Sequence, residues 1–241
     1  VAFAASVALA YALERTRFGI GYTMNSASFF RVEGALVTRS ALPDAAWFAL
    51  HQDSLDKRLL RLGGVLAARV SAAVHPLGDG PEAERLAWSN LRGMSVDRLT
   101  FLAEEFRTAQ LLPRISAVGR RLLEEARGRG QKIVLITSIP ALIIEPLLLQ
   151  MGADHIVASA LEIRDDEVTG RLAESSIAHL DGAWVREFAA THDIELSTSD
   201  AYGARASDAL LMASTGRPAA VQPDWRLRRI AEEHGWPIIA G

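Results

Sequence analysis

The 241-residue chain contains no cysteine. Disulfides, thiolate metal sites and a cysteine nucleophile are therefore excluded, and a cytoplasmic, reducing compartment is compatible with that usage. Lysine is nearly absent too: Lys57 and Lys132 are the only two, and none follows Lys132. Neither sign of charge dominates, since 26 basic residues face 29 acidic ones and the formal charge is -3. No basic surface of the kind that holds a polyanion is implied, so nucleic acid is set aside as a partner. The six histidines are scattered, with no two at ligand spacing on one helix face, which argues against a histidine metal site. The apolar opening, residues 1–13, stops at Glu14. It falls short of the roughly 20 residues that span a bilayer. Residues 1–19 therefore read either as an Ala-rich helix docked on the domain or as the tail of a membrane segment cut upstream of Val1. Oligomeric state is not set by the sequence.

What is present is ordinary globular composition, 49% hydrophobic and 23% charged, enough for a sizeable core. Residues 27–32 (ASFFRV) predict a short buried strand. From about 39 to 112 the apolar spacing is helical throughout, with Ser95 placed as an N-cap and residues 75–81 (HPLGDGP) as a loop. Trp47, Phe48, Trp88 and Phe101 are expected to pack within this block, and Asp44, Asp53 and Asp56 to be solvated on its surface. Beyond Ile115 strands and helices alternate. Residues 132–137 (KIVLIT) form a continuous apolar strand of the kind buried on both faces of a parallel sheet. Further strands are expected at 155–163, 168–172 (after a turn at Asp165-Asp166), 199–203, 218–222 and 237–239. That alternation predicts an α/β fold with a Rossmann-like, doubly wound parallel sheet. The predicted division is an α/β core of residues 20–38 and 113–241 with an inserted all-helical cap at 39–112.

Four segments carry a family resemblance, in order and around the helical block. FFRVEGAL (29–36) resembles the first motif of the haloacid dehalogenase superfamily, in which a strand ends in Asp-x-Asp-Gly-Thr. IVLITSIP (133–140) resembles the second motif, a strand ending in Ser or Thr. AYGARASD (201–208) resembles the fourth, Gly-Asp-x-x-x-Asp. VQPDWRLRRIAEEHGWPI (221–238) and MGADHIVASALEIRDDEVTGRL (151–172) are similar to the phosphoserine-phosphatase-like branch.

The resemblance implies a metal-dependent phosphomonoesterase, and the residues depart from it. In the family, the first Asp attacks phosphorus and the second acts as general acid and base. Magnesium is held by the first Asp and by a fourth-motif Asp. A hydroxyl and a lysine neutralise the transferring group. Here Arg31 stands at the nucleophile position, and a guanidinium is neither nucleophilic nor a magnesium ligand. Glu33 stands at the acid/base position, one methylene longer, and Ala35 replaces the motif's Thr. Ala204 replaces the metal-binding Asp, while Thr137 and Asp208 remain. No lysine is available for the third motif, leaving Arg186 as an unsupported stand-in. No metal is expected, Asp208 being the sole side-chain remnant of that site.

Two functions stay open. One is a pseudo-phosphatase that binds an anionic small molecule or a partner, with Arg31, Gly34, Thr137, Ser138, Gly203 and Arg205 as ligand contacts. The other is a hydrolase of altered mechanism, with Glu33 and Asp208 as acid and base on a small phosphorylated substrate. Arg31 is expected to face Asp208 and Glu33, its charge replacing that of magnesium. Thr137 reads equally as a plain strand-end hydroxyl, and Asp208 as a helix-terminal acid. A cytoplasmic location is expected, with membrane attachment through residues 1–19 as the open alternative.

Overall fold

The computed structural model describes residues 25–38, 44–51, 80–176 and 180–240, with 63, 66, 67 and 70. The expectations for residues 1–19, Asp53 and Asp56 lie outside the described residues.

Seven strands form one sheet: β1 (Ala27–Arg31), β2 (Lys132–Pro140), β3 (His155–Arg164), β4 (Glu167–Glu174), β5 (Asp200–Gly203), β6 (Arg217–Val221) and β7 (Ile238–Ile239). Their order is β4-β3-β2-β1-β5-β6-β7. Every pairing is parallel except β3 with β4, a hairpin turned at Asp165 and Asp166. Both turn residues take positive φ, 49° and 60°, the backbone that a two-residue hairpin requires and that Asp tolerates. The α/β fold with a largely parallel sheet is thus the one the alternation predicts.

β1 is buried along its whole length, and its consecutive phenylalanines separate to opposite faces. Phe30 joins Ile133 and Leu135 on one face; Phe29 joins Val134, Ile136 and Ala201 on the other. A strand covered on both sides has no solvent face to alternate toward, which is why ASFFR carries no polar period.

Eight helices cover the sheet within the described residues: α1 (Asp44–Leu50), α2 (Pro81–Trp88), α3 (Val96–Phe106), α4 (Ala117–Gly128), α5 (Ala141–Gln150), α6 (Gly182–Thr191), α7 (Ala209–Ala213) and α8 (Trp225–His234). Leu122, Leu123, Ile143 and Leu147 of α4 and α5 cover one face; Val185, Leu211 and Leu227 of α6 to α8 cover the other. The first three helices lie in the chain between β1 and α4. Phe48, Trp88, Leu99 and Phe106 run into the α4–α5 side as one continuous apolar cluster. Ser95 caps α3 as expected, its Oγ accepting from Arg98 N–H. Phe101 does not pack: it is 69% exposed, because it lies off the face that carries Leu99, Leu102 and Phe106. The β3–β4 hairpin docks on the turn before α3 through backbone bonds between Gly93 N–H and Val168 O, Val168 N–H and Met94 O, and Val96 N–H and Asp166 O. No helix among the described residues is long and apolar enough to cross a membrane.

Candidate functional site

β1 sits between β2 and β5, so strand order reverses across it. In open α/β sheets the crevice beyond the carboxyl ends of the strands at such a reversal is where ligands bind. Arg31 ends β1, Thr137 lies near the end of β2, and Gly203 ends β5. Chain topology alone brings together residues more than 170 positions apart.

Arg31 is buried, with 2% of its side chain exposed, and two carboxylates answer it. Nε lies 2.9 Å from Asp208 Oδ1, and Nη2 lies 3.5 Å from Glu33 Oε2. Asp208 is wholly enclosed. Its other oxygen accepts the backbone N–H groups of Ala204 (2.9 Å) and Arg205 (3.0 Å), so it also closes the turn after β5. Gly203 makes that closure possible. A Cβ there would lie 2.6 Å from Met212 Sδ and 2.7 Å from Asp208 Cβ. Burial pushes the Asp208 carboxyl up, the Arg31 charge and the two N–H groups draw it back, and the net displacement stays upward.

Glu33 occupies the loop after β1. Gly34 follows at φ 100°, and bonds from Gly34 N–H to Val37 O and from Val37 N–H to Val32 O close the loop. Glu33 turns toward β2, not into open space. Its Oε1 accepts from Thr137 Oγ1 (2.8 Å), Ser138 N–H (2.7 Å), Ser138 Oγ (2.8 Å) and Ile139 N–H (3.3 Å). Burial pushes its pKa up, but the Arg31 charge and the Ser138 and Thr137 hydroxyls outweigh that, and the net displacement is downward. Thr137 and Ser138, expected to face a ligand, spend their donors on the chain's own carboxylate.

The expected acid/base pair does not form as a free pair. Glu33 is held as an anion by four donors, and Asp208 is enclosed against Arg31 and two amides. Arg205 acts electrostatically on Asp208 and Asp44 from beside the site. Asp44 is not solvated: it pairs with Arg114 at 2.6 Å, and burial leaves its pKa raised. Arg186 does not substitute for the family's lysine, since it is exposed on α6 and turns back toward Gly182. Lys132 lies at the opposite end of β2, with Nζ donating to His192 O.

Magnesium requires several hard oxygen ligands at close to octahedral geometry. At the two positions that the motif resemblance assigns to side-chain ligands stand Arg31, a buried cation, and Ala204, which has no side-chain oxygen. Asp208 is already committed. These residues do not fit the ion. No group of three or more acidic, histidine or cysteine residues suited to a metal occurs among the described residues.

One cluster escaped the sequence. Glu84 of α2 is 5% exposed and accepts hydrogen bonds from the Ser159 and Ser175 hydroxyls. Ser159 Oγ, its one proton given to Glu84, lies 3.1 Å from Ser176 Oγ, and Ser176 Oγ donates to Thr137 O (2.6 Å). Trp88 Nε1, one turn on from Glu84, donates to Ser138 O (2.9 Å). α2 is thus bonded to β2 directly through Trp88 and to β3 and the segment after β4 through Glu84. Burial raises the Glu84 pKa against the pull of its two serines. The only available signal was an acid one turn before a tryptophan, which any helix can carry.

An open α/β sheet with its site at the carboxyl ends of β1, β2 and β5 agrees with the sequence profile of the haloacid dehalogenase-like hydrolases, which matches residues 29–213. The chain belongs to that family. Among its relatives is the "Inhibition of morphological differentiation protein" of Streptomyces azureus, 30% identical over 216 residues, covering 89% of this chain and 78% of the relative. Phosphoserine phosphatase SerB1 of Mycobacterium tuberculosis is 30% identical over 162 residues, 66% of this chain and 52% of that protein. Among solved structures, a Bordetella pertussis Tohama I protein of unknown function superimposes with a TM-score of 0.73 at 20% identity, covering 90% of this chain and 99% of that one. A phospho-aspartyl intermediate analogue of phosphoserine phosphatase gives 0.65 at 15%, covering 90% and 94%. At those identities the two structures speak for the fold.

Proposed function

We propose that this chain is a pseudo-phosphatase: a haloacid dehalogenase-type core, residues 20–38 and 113–241, with a helical cap over 39–112. Its cleft receives an anionic small molecule or a partner group without hydrolysing it, and it uses no magnesium. The observation that carries this reading is the buried Arg31–Asp208 ion pair at 2.9 Å. A cation stands where the family's mechanism needs an attacking carboxylate, and it is neutralised by the acid left over from the metal site. Covalent catalysis by that route needs a nucleophile, and a guanidinium cannot supply one. The alternative, acid/base hydrolysis by Glu33 and Asp208, gains no support from a geometry in which both carboxylates are already committed.

The test is turnover of para-nitrophenyl phosphate with and without Mg²⁺, by the native chain and by an Arg31→Asp/Ala204→Asp variant. The expected result is no Mg²⁺-dependent turnover by the native chain and a measurable rate in the double variant. Mg²⁺-dependent turnover by the native chain at ordinary enzyme rates, about 1–1,000 per second, would overturn the reading.

A further inference from the structure

We propose that Glu33 is an internal ligand: its carboxylate fills the oxyanion site formed by the Thr137–Ser138–Ile139 turn, and an external tetrahedral oxyanion enters only by displacing it. This deepens the reading of the site as a binding cleft and rests on it.

The donors first. Two hydroxyls and the Ser138 N–H converge on Glu33 Oε1 within 2.7 to 2.8 Å, and the Ile139 N–H, shared with Thr137 Oγ1 at 3.0 Å, lies 3.3 Å from it. One carboxylate oxygen has two lone pairs and is satisfied by about two or three donors. Three donors and a shared fourth on one oxygen form a cluster with capacity for a larger anion, such as phosphate, that would spread the same donors over several oxygens. Meanwhile Oε2, buried and 3.5 Å from Arg31 Nη2, accepts no hydrogen bond from the described residues. The carboxylate is held hard on one side and only by charge on the other.

Its place in the site matches that role. Arg31 and Asp208 lie beneath, with 2% and 0% of their side chains exposed, while Glu33 is the most exposed of the three at 11%. It therefore stands between solvent and the buried cation. It is carried on a loop whose next residue, Gly34 at φ 100°, has backbone freedom that other residues lack. An Asp, one methylene shorter, reaches less far from the same loop, so the longer side chain helps to bring this carboxylate to the β2 turn.

Competition follows from tethering. A ligand attached to the chain acts at an effective concentration of about millimolar or more. External phosphate in the native protein must outcompete it and also approach a second negative charge.

The experiment is calorimetric titration with inorganic phosphate, without Mg²⁺, of the full chain in native, Glu33→Ala and Glu33→Gln forms. Each is checked first for a cooperative thermal transition. Phosphate should bind the Ala variant at least about tenfold more tightly than the native chain, with the Gln variant between them. Adding Ser138→Ala to the Ala variant should remove most of the gain. The Gln form keeps the side chain's size and an accepting oxygen, so it remains informative if the Ala form fails to fold. Equal phosphate affinity in the native chain and in whichever variants fold would overturn the proposal, and so would a gain that survives Ser138→Ala. Because the probe is not an ester and no Mg²⁺ is present, the outcome is independent of the turnover assay. Catalysis by the native chain would sink the pseudo-phosphatase reading alone.

Discussion

An arginine with 2% of its side chain exposed is stable only because charge answers charge. Removing either member of the Arg31–Asp208 pair strands the other in a medium that solvates it poorly. Arg31→Met leaves Asp208 and Glu33 facing each other across an apolar gap. Asp208→Asn keeps an oxygen for Ala204 and Arg205 N–H but takes away the carboxylate nearest the guanidinium. Each variant should lose about 3–5 kcal/mol of stability in urea denaturation. The double variant should lose less than the sum, with a coupling of about 0.5–3 kcal/mol. Strict additivity in that cycle would mean the two side chains do not depend on each other, and the account of the buried pair would be wrong.

Between elements, α4 approaches the loop carrying Glu33 backbone to backbone. A Cβ on Gly119 would lie 2.9 Å from Leu36 Cα and 3.0 Å from Ala35 O, both backbone atoms that cannot swing aside. Two effects oppose each other in Gly119→Ala. Alanine gains about 1 kcal/mol in helix propensity, whereas overpacking against fixed neighbours costs about 1–3 kcal/mol. The clash should win, giving net destabilisation and a displaced loop, read as a lower denaturation midpoint and chemical-shift changes at Gly34. A rise in stability would show that α4 has room to move away. This contact also marks where sequence stops being informative. The elements were legible because their causes are local: continuous apolar runs for β1 and β2, the Asp165-Asp166 turn, the Ser95 cap. The positions of Arg31, Glu33, Thr137, Ala204 and Asp208 were legible because each sits at a strand end, or in the turn that follows one, within a short motif. The direction of each side chain was not. Glu33 and Ser138 are 105 residues apart, and nothing local says that the two would spend their hydrogen bonds on each other. Glu82 and Glu84 look alike in the chain. Yet one has 74% of its side chain exposed, and the other is buried on serines 75 and 91 residues away.

At the scale of the whole molecule, the carboxyls of Glu33, Asp44, Glu84 and Asp208 divide by the sign of their displacement. Glu33 is moved down; Asp44, Glu84 and Asp208 are moved up. Linkage turns that division into opposite slopes of stability against pH. Glu33, with its folded pKa below the ordinary 4.5, contributes stability that is complete above that value and is lost as pH falls through the folded pKa. Glu84, with its folded pKa above 4.5, prefers to keep its proton in the folded state. Its contribution is complete below 4.5 and is lost as pH rises through the folded pKa. Replacing each by Gln removes one titration while keeping size and hydrogen-bonding shape. The stability of the native chain minus that of Glu33→Gln should therefore grow with rising pH and level off above about 4.5. The corresponding difference for Glu84→Gln should shrink with rising pH. Denaturation midpoints taken from neutral pH down to the acid limit of folding give both curves. If the two differences slope the same way, the charge assigned to one of these carboxyls is wrong. A Glu33 curve that is flat would mean the β2 turn favours neither form of the carboxyl, and one that falls with rising pH would mean it holds a neutral acid instead of an anion.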